Sequence, residues 1–370
     1  MLATQEVQQE DTSIEDKKSS KNKNVSLVRV AELADILAEK MEGAISEVDK
    51  INRETHMLSI NARIEASRAD EAGKAFTVVA EEMNNLSQKT SAVTSKMREV
   101  THQSISEIGQ IIREQAVHLH GVRLSDLALV NIDLIDRNLY ERTCDVRWWA
   151  TDGDMVNALD KKDIEVYRHA SSRLGIILNA YTVYYDLILA DLEGNIVANG
   201  NSEYKSQGMN VSEQEWFKDA LETNSGEEYG FKSVSKCPLV NEKLSLIYSC
   251  SVREGGNQNG KILGVLGAVF NWENLAQTIM KLTPLPEEEK EISRICIVDD
   301  EGLVLADSDE KMLNDVIRFD KRNQLFAKNE DYIIASYNDK KSTIAHAKSL
   351  GYEGYRTGWH SLIVQQIKTE

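Results

Sequence analysis

Apolar residues recur in alternating steps of three and four along the early part of the chain, through Leu27, Val30, Ala34, Leu37, Met41, Ala44, Val48, Ile51, Thr55, Leu58 and Ala62. This is a coiled-coil seam. The same steps return in Val79, Met83, Leu86, Thr90, Val93, Met97 and Val100, which predicts a second helix antiparallel to the first. Between the arms stands Gly73, which supplies the backbone freedom a tight reversal needs. The pattern reads as a helical hairpin over residues 25–120 with its tip near 66–73. Residues 1–24, rich in Gln, Glu, Asp, Lys and Ser and without an apolar period, are expected to be disordered. Toward the tip the seam turns polar: its spacing lands on Glu65, with Asn61 and Arg68 near the same face. Polar seam groups lower stability and are kept for register, oligomeric state or a partner, although a solvated hairpin end would also carry them.

Gly121 reads as a joint. Beyond it helical spacing resumes through Leu127, Val130, Leu134, Leu139, Val146 and Trp149, and another helix fits residues 163–179. The period then changes to two. Residues 181–200 predict a β-hairpin turned at Glu193-Gly194-Asn195, and residues 244–252 and 262–271 predict strands. The pattern A-D-L-E-G-N-I-V-A-N at 190–199 recurs as V-D-D-E-G-L-V-L-A-D at 298–307. Two related α+β modules in tandem are expected, at about 180–282 and 290–370.

Composition narrows the function classes. With 370 residues, 41% hydrophobic and 28% charged, the chain suits several domains, one of them an extended coiled coil. A net charge of −17 without a clustered basic face excludes nucleic acid as the expected partner. Cys144, Cys237, Cys250 and Cys296 form no C-x-x-C pair, and the seven histidines show no metal spacing. Reduced, mostly buried thiols are expected, with no metal and no cofactor. Neither a phosphate-binding loop nor a nucleophile motif is present, so no enzyme is expected. No window approaches an apolar membrane span and the N-terminus shows no signal-peptide core, so a soluble, cytoplasmic protein is expected.

The run I-N-A-R-I-E-A-S-R-A-D-E-A-G-K-A-F-T-V-V-A-E-E at 60–82 resembles the signalling tip of methyl-accepting chemotaxis proteins. That resemblance implies a dimeric four-helix coiled coil. It makes Met57, Asn61, Glu65 and Arg68 contacts between receptor dimers, and Glu71, Phe76, Val78 and Glu82 the surface for a histidine kinase and its coupling protein. Departures from the family pattern are Arg53 where many receptors have an aromatic residue, Asp70 and Ala75 for glycine, and Ser67 for alanine. Arms of about 40 residues span roughly 60 Å, too short for the usual methylation sites.

The long helix, the repeat and the motifs V-S-E-Q-E-W-F-K-D-A-L and G-V-L-G-A-V-F-N-W resemble the PAS-like double Cache sensor domain over residues 121–370. In that family the sensor usually precedes the hairpin. The resemblance places a ligand in the first module behind Trp216 and Phe217. The amino-acid-binding subset differs at three positions, occupied here by Gln214, Met209 and Val269, so another small molecule is expected. Arg147, Trp148, Trp149 and Asp152 suit an anion clamp, or else core anchors on a helix packed against a sheet. Tyr185, Tyr229 and Tyr248 suit a pocket lining or plain strand faces. The expected function is a soluble chemoreceptor-like protein that senses a small cytoplasmic molecule and modulates a chemotaxis kinase as a homodimer, within trimers of dimers or recruited to receptor arrays. The alternative is a structural or competing cluster member that senses nothing.

Overall fold

The computed structural model describes residues 2–367, the side chains of 2–26, Val28 and Glu71 excepted. The disorder expected for residues 1–24 therefore lies outside the described side chains. Two long helices, α1 (Leu2–Arg68) and α2 (Lys74–Trp149), are joined by the tight turn Asp70–Gly73. The chain divides into two compact units, Met1–His120 and Gly121–Glu370.

In the first unit the arms meet through small residues. Ser59, Ala66, Gly73, Ala80, Ser87 and Thr94, a ladder at heptad spacing, are buried. Polar contacts fix the register: Thr94 Oγ1 donates to Asp49 Oδ1 at 2.6 Å, and Arg98 bonds Glu42 at 3.0 Å and Asp49 at 3.1 Å. The apolar seam read from the sequence is a neighbouring face. Leu37, Val48, Ile51, Leu58, Val79, Leu86 and Val93 stay 42–58% exposed beside the ladder, whereas Ile45, two heptads before Ser59 on the ladder itself, is fully buried.

The reversal also differs from expectation. Gly73 is not in the left-handed region; its Cβ position lies 1.9 Å from the Ala66 carbonyl oxygen, so glycine is required there for space. The left-handed residue is Asp70 (φ 46), a conformation an aspartate tolerates better than most residues. Gly121 opens the second unit. It lies inside α2, where a Cβ would come 2.3 Å from the Tyr332 ring.

The second unit is α+β. The end of α2 is followed by α3 (Gly153–Lys161) and α4 (Ile164–Ala180), capped by Asp152 and Asp163. The first sheet comprises β1 (Tyr184–Asp191), β2 (Ile196–Asn199), β3 (Gly230–Cys237), β4 (Lys243–Arg253) and β5 (Ile262–Asn271), in antiparallel order β2-β1-β5-β4-β3, with α5 (Glu215–Leu221) between β2 and β3. Helices α6 (Trp272–Leu282) and α7 (Glu287–Lys290) lead to the second sheet. It holds β6 (Ser293–Val298), β7 (Val304–Asp307), β8 (Glu330–Tyr337), β9 (Lys340–Lys348) and β10 (His360–Gln366), with α8 (Arg322–Phe326) before β8; its order, β7-β6-β10-β9-β8, repeats the first. Register repeats as well: Ile188 pairs with Asn199 and Ala190 with Ile196, as Cys296 pairs with Asp307 and Val298 with Val304. Gly194 and Gly302 turn both hairpins at positive φ. One face of each sheet joins α2 and α4 in a shared core, and each opposite face carries its own apolar cluster.

The tip geometry predicts that Gly73→Ala, by forcing apart two backbones in contact, destabilises the reversal by roughly 1–3 kcal/mol. Hydrogen exchange over residues 66–76 should speed up while the sheets stay protected. Unchanged exchange at the tip would show that Ala66 yields without cost.

Candidate functional site

Two regions carry the candidates that the sequence points to. At the hairpin tip, Met57 is 57%, Phe76 69% and Val78 67% exposed, and Asn61 and Glu82 are exposed too. Glu65 and Arg68 pair with each other one turn apart at 2.7 Å, both in solvent. Such a pair is weak and free to exchange partners. The Glu71 side chain lies outside the described residues.

The second region is the outer face of the first sheet. Trp216 and Phe217, on α5, are fully or nearly fully buried there against Ile188, Ile247, Val265 and Val269. Glycine at 267 lets the Trp216 ring lie on β5: a Cβ would sit 3.0 Å from it. The indole Nε1 of Trp216 is buried without an acceptor among the described residues. Tyr185 and Tyr204 border the same face, with the Lys243 ammonium 4.8 Å from the Tyr185 ring and 3.0 Å from the Tyr204 hydroxyl. Lys232 of β3 donates to Gln214 Oε1 at 3.1 Å, which brings a cation to the start of α5.

A carboxylate that the sequence pattern does not single out fixes this face. Asp186 is fully buried. Its Oδ1 accepts from the backbone N–H of Leu187, Gly200 and Asn201 at 2.8–3.0 Å, and its Oδ2 from Asn199 Nδ2 at 3.0 Å. The loop bearing Tyr204 is thereby tied to β1. Burial pushes the Asp186 carboxyl up to about 6 against the downward pull of these donors. At the repeat-related places in the second module stand Arg294 and Asp307, a buried ion pair at 2.6 Å. The signal available in the sequence is a polar residue on each strand of one hairpin, Asp186 and Asn199.

The remaining candidates are separate. Tyr248 lies on the opposite, helix-facing side of the sheet, with its hydroxyl 2.7 Å from that of Tyr355. Trp149 is in the same core, edge-on to Tyr181 and Tyr184 at 5.1 and 5.4 Å. Arg147 bonds the Thr143 carbonyl at 2.8 Å and Glu227 O at 3.3 Å, and Asp152 caps α3. Trp148 is 70% exposed. Thus Trp216, Phe217 and Tyr185 share one face, while Tyr248, Arg147 and Trp149 do not join it. Among the described residues no group of three or more His, Cys, Asp or Glu could hold a metal, and no helix is long and apolar enough to cross a membrane.

Residues 13–368 match the family model of the Cache domain. The chain is similar to methyl-accepting chemotaxis protein I of Escherichia coli (strain K12), 33% identical over 81 residues, which are 21% of this chain and 15% of that protein. It therefore spans only a small part of the length of this curated relative. Its fold is similar to the sensor domain of the histidine kinase DctB of V. cholerae, with a TM-score of 0.52 at 13% identity over 70% of this chain and all of that one. It is also similar to the ligand-binding domain of the Campylobacter jejuni chemoreceptor Tlp3 in complex with L-norvaline, with a TM-score of 0.50 at 15% identity over 67% of this chain and 90% of that one.

A raised carboxyl pKa means that the folded state holds the Asp186 proton more firmly than the unfolded chain. The stability it contributes is complete below about pH 4 and lost as pH rises through about 6. The stability of the parent relative to Asp186→Asn should therefore fall between pH 4 and 6, by up to roughly 3 kcal/mol. Urea denaturation of both proteins measures it, and a difference independent of pH would show that Asp186 does not titrate there.

Proposed function

The chain belongs to the Cache domain family, and from that premise we propose that it is a non-enzymatic, chemoreceptor-like signalling protein: the sensor binds a small molecule at the outer face of its first module, and the hairpin tip modulates a chemotaxis histidine kinase through a coupling protein. The observation that carries this reading is the tip. Phe76 and Val78 are more exposed than the other large apolar side chains described in the hairpin, in a sequence resembling the kinase-contacting segment of chemoreceptors. A side chain of that size held in water is usually kept for a partner.

The uncovered seam supports a homodimer. Two hairpins packed as a four-helix bundle would bury Leu37, Val48, Ile51 and Leu58 against Val79, Leu86 and Val93. Met57, Asn61, Glu65 and Arg68 then remain for contacts between dimers. Helix α2 runs from hairpin to sensor through Glu114, His118, His120 and Arg123, residues that a bilayer interior would hold only at high cost. This supports sensing and signalling in one compartment, the cytoplasm, with recruitment to receptor arrays. On the ligand face, Lys232, Lys243 and the unpaired Trp216 N–H suit a ligand bearing a carboxylate or another strong acceptor. The close packing of Trp216 and Phe217 favours a second reading, in which the protein is a structural or competing cluster member that senses nothing.

Sedimentation of the full chain should show a dimer at micromolar concentration, and Ile51→Lys with Leu86→Lys should yield a helical monomer. A parent that sediments as a monomer overturns the bundle. In reconstituted arrays Phe76→Ala should weaken kinase control at least tenfold, about 1.4 kcal/mol of contact energy. A set of carboxylate metabolites should change kinase activity in the parent and not in Lys243→Ala. Kinase control lost at the tip with no response to any metabolite would select the second reading.

A further inference from the structure

The second module holds a chain of three polar side chains that the ligand reading does not use. His346 on β9 and His360 on β10 are both fully buried. Nε2 of His346 lies 2.7 Å from Nδ1 of His360, and Nε2 of His360 lies 2.8 Å from Oδ1 of Asp300, in the second D-x-E-G turn. The Phe326 ring, at the end of α8, is stacked on both imidazoles, 4.0 Å from His360 at 15° and 5.1 Å from His346 at 16°.

Hydrogen-bond logic fixes the protons. Its bond to His360 holds Asp300 below the usual carboxylate value, so it is an acceptor and His360 Nε2–H donates to it. Nδ1 of a neutral His360 must then accept from His346 Nε2–H. That leaves the lone pair of His346 Nδ1, which is buried without a hydrogen-bond partner among the described residues. An unsatisfied buried acceptor is the place where the next proton binds.

We infer that His346 and His360 form a proton-binding site, and that proton uptake there releases Phe326 and α8 from the sheet, giving the second module a pH input independent of any ligand in the first. A proton from solvent bonds to His346 Nδ1, the Nε2 proton of His346 passes to His360 Nδ1, and the positive charge comes to rest on His360 beside Asp300. No other bond is made or broken.

The surroundings decide the direction. Asp299 and Asp300 from the turn, and Asp331 from β8 opposite His346, favour a charged pair. Lys348 of β9, 3.4 Å from Asp300, opposes it, as does Arg322 of α8, 5.5 Å above the Phe326 ring; Lys328 is paired with Asp331. Burial is the largest effect. It lowers His346 to about 3 and His360 below the ordinary imidazole value. Both pKa values are depressed in the closed arrangement, so its stability is complete above the ordinary value of about 6.5 and lost as pH falls below it. Each imidazole freed to titrate normally favours the open form about 10-fold at pH 5.5. The cap is small: α8 has five residues, and a cleft of about 640 Å³ lined by Arg318, Phe319 and Arg322 flanks it.

Hydrogen exchange of the full chain at pH 7.5 and 5.5, corrected for intrinsic rates, tests the inference. Protection of residues 319–328 should fall about 10-fold or more at pH 5.5 while residues 184–191 keep theirs. The double variant His346→Gln, His360→Gln should lose that response. Equal protection of the parent at both values, or an unchanged response in the double variant, overturns it. Should the double variant fail to fold, NMR of histidine- and phenylalanine-labelled parent decides: both imidazoles and the Phe326 ring must shift together, and imidazoles that titrate beneath an unmoved ring would refute the release of α8.

Discussion

The apolar stripe of α2, formed by Leu124, Ala128, Ile132, Ile135, Leu139 and Val146, is the constraint on which both sensor modules depend. All six are fully buried, and the core they found takes in Leu187 and Leu266 from the first sheet and Ile297 and Ile363 from the second. Each Leu, Ile or Val so buried contributes roughly 1.5–3 kcal/mol, so neither sheet could lose this helix and stay covered. Polar contacts then set the alignment that apolar burial leaves loose. Asp136 accepts from Ser349 Oγ at 2.7 Å, Thr357 Oγ1 at 2.8 Å and the Gly351 N–H at 3.1 Å, tying the loop before β10 to the helix. Asp145 accepts from the Tyr184 hydroxyl at 2.6 Å, tying β1 to it. Between the modules, Trp272 Nε1 donates to the Leu305 carbonyl at 2.6 Å.

What was legible in the sequence follows from which signals are local. The D-x-E-G turns were readable because a glycine at positive φ between two apolar strands leaves a fixed spacing, and the structure repeats that spacing in order and register. Strand β5 is readable as an unbroken apolar run and β4 as one interrupted only by serines, since both faces are covered. Strand β3, with its mixed burial, and the second sheet's β8, half exposed along its length, gave no such run. The long seam is legible as a helix pattern, while the contact that covers it is not. Periodicity shows that a face is apolar, whereas which neighbour covers it depends on the adjoining face, here the ladder from Ser59 to Thr94.

The site was harder to read for a different reason. Tyr185, Trp216 and Phe217 converge on one face, but Tyr248 and Trp149 look the same in sequence and point into the helix-facing core. Aromatic identity does not encode the side of a sheet when a bulge interrupts the alternation, as between Tyr184 and Asp186. Asp186 escaped notice because a lone carboxylate on a strand normally marks a solvated face. Only its five donors, Ser206 Oγ at 3.5 Å being the weakest, show it to be an internal anchor.

The repeat makes one further comparison possible. In the first module the buried pair is Asp186 with Asn199, one charge held by neutral donors; in the second it is Arg294 with Asp307, two opposite charges joined also by Asp315 at 2.9 Å. A satisfied ion pair in the interior resists the loss of either partner, because each would leave the other buried and uncompensated. A carboxylate pushed up to about 6 is closer to balance, and the loop it holds carries Tyr204, which lies in the cluster around Trp216 and Phe217. Binding on that face can shift an equilibrium only by its differential affinity for two arrangements, about 1.4 kcal/mol for each factor of ten. The duplicated hairpin thus holds a lone carboxylate among neutral donors in the first module and, at the repeat-related places of the second, an ion pair joined by a further carboxylate.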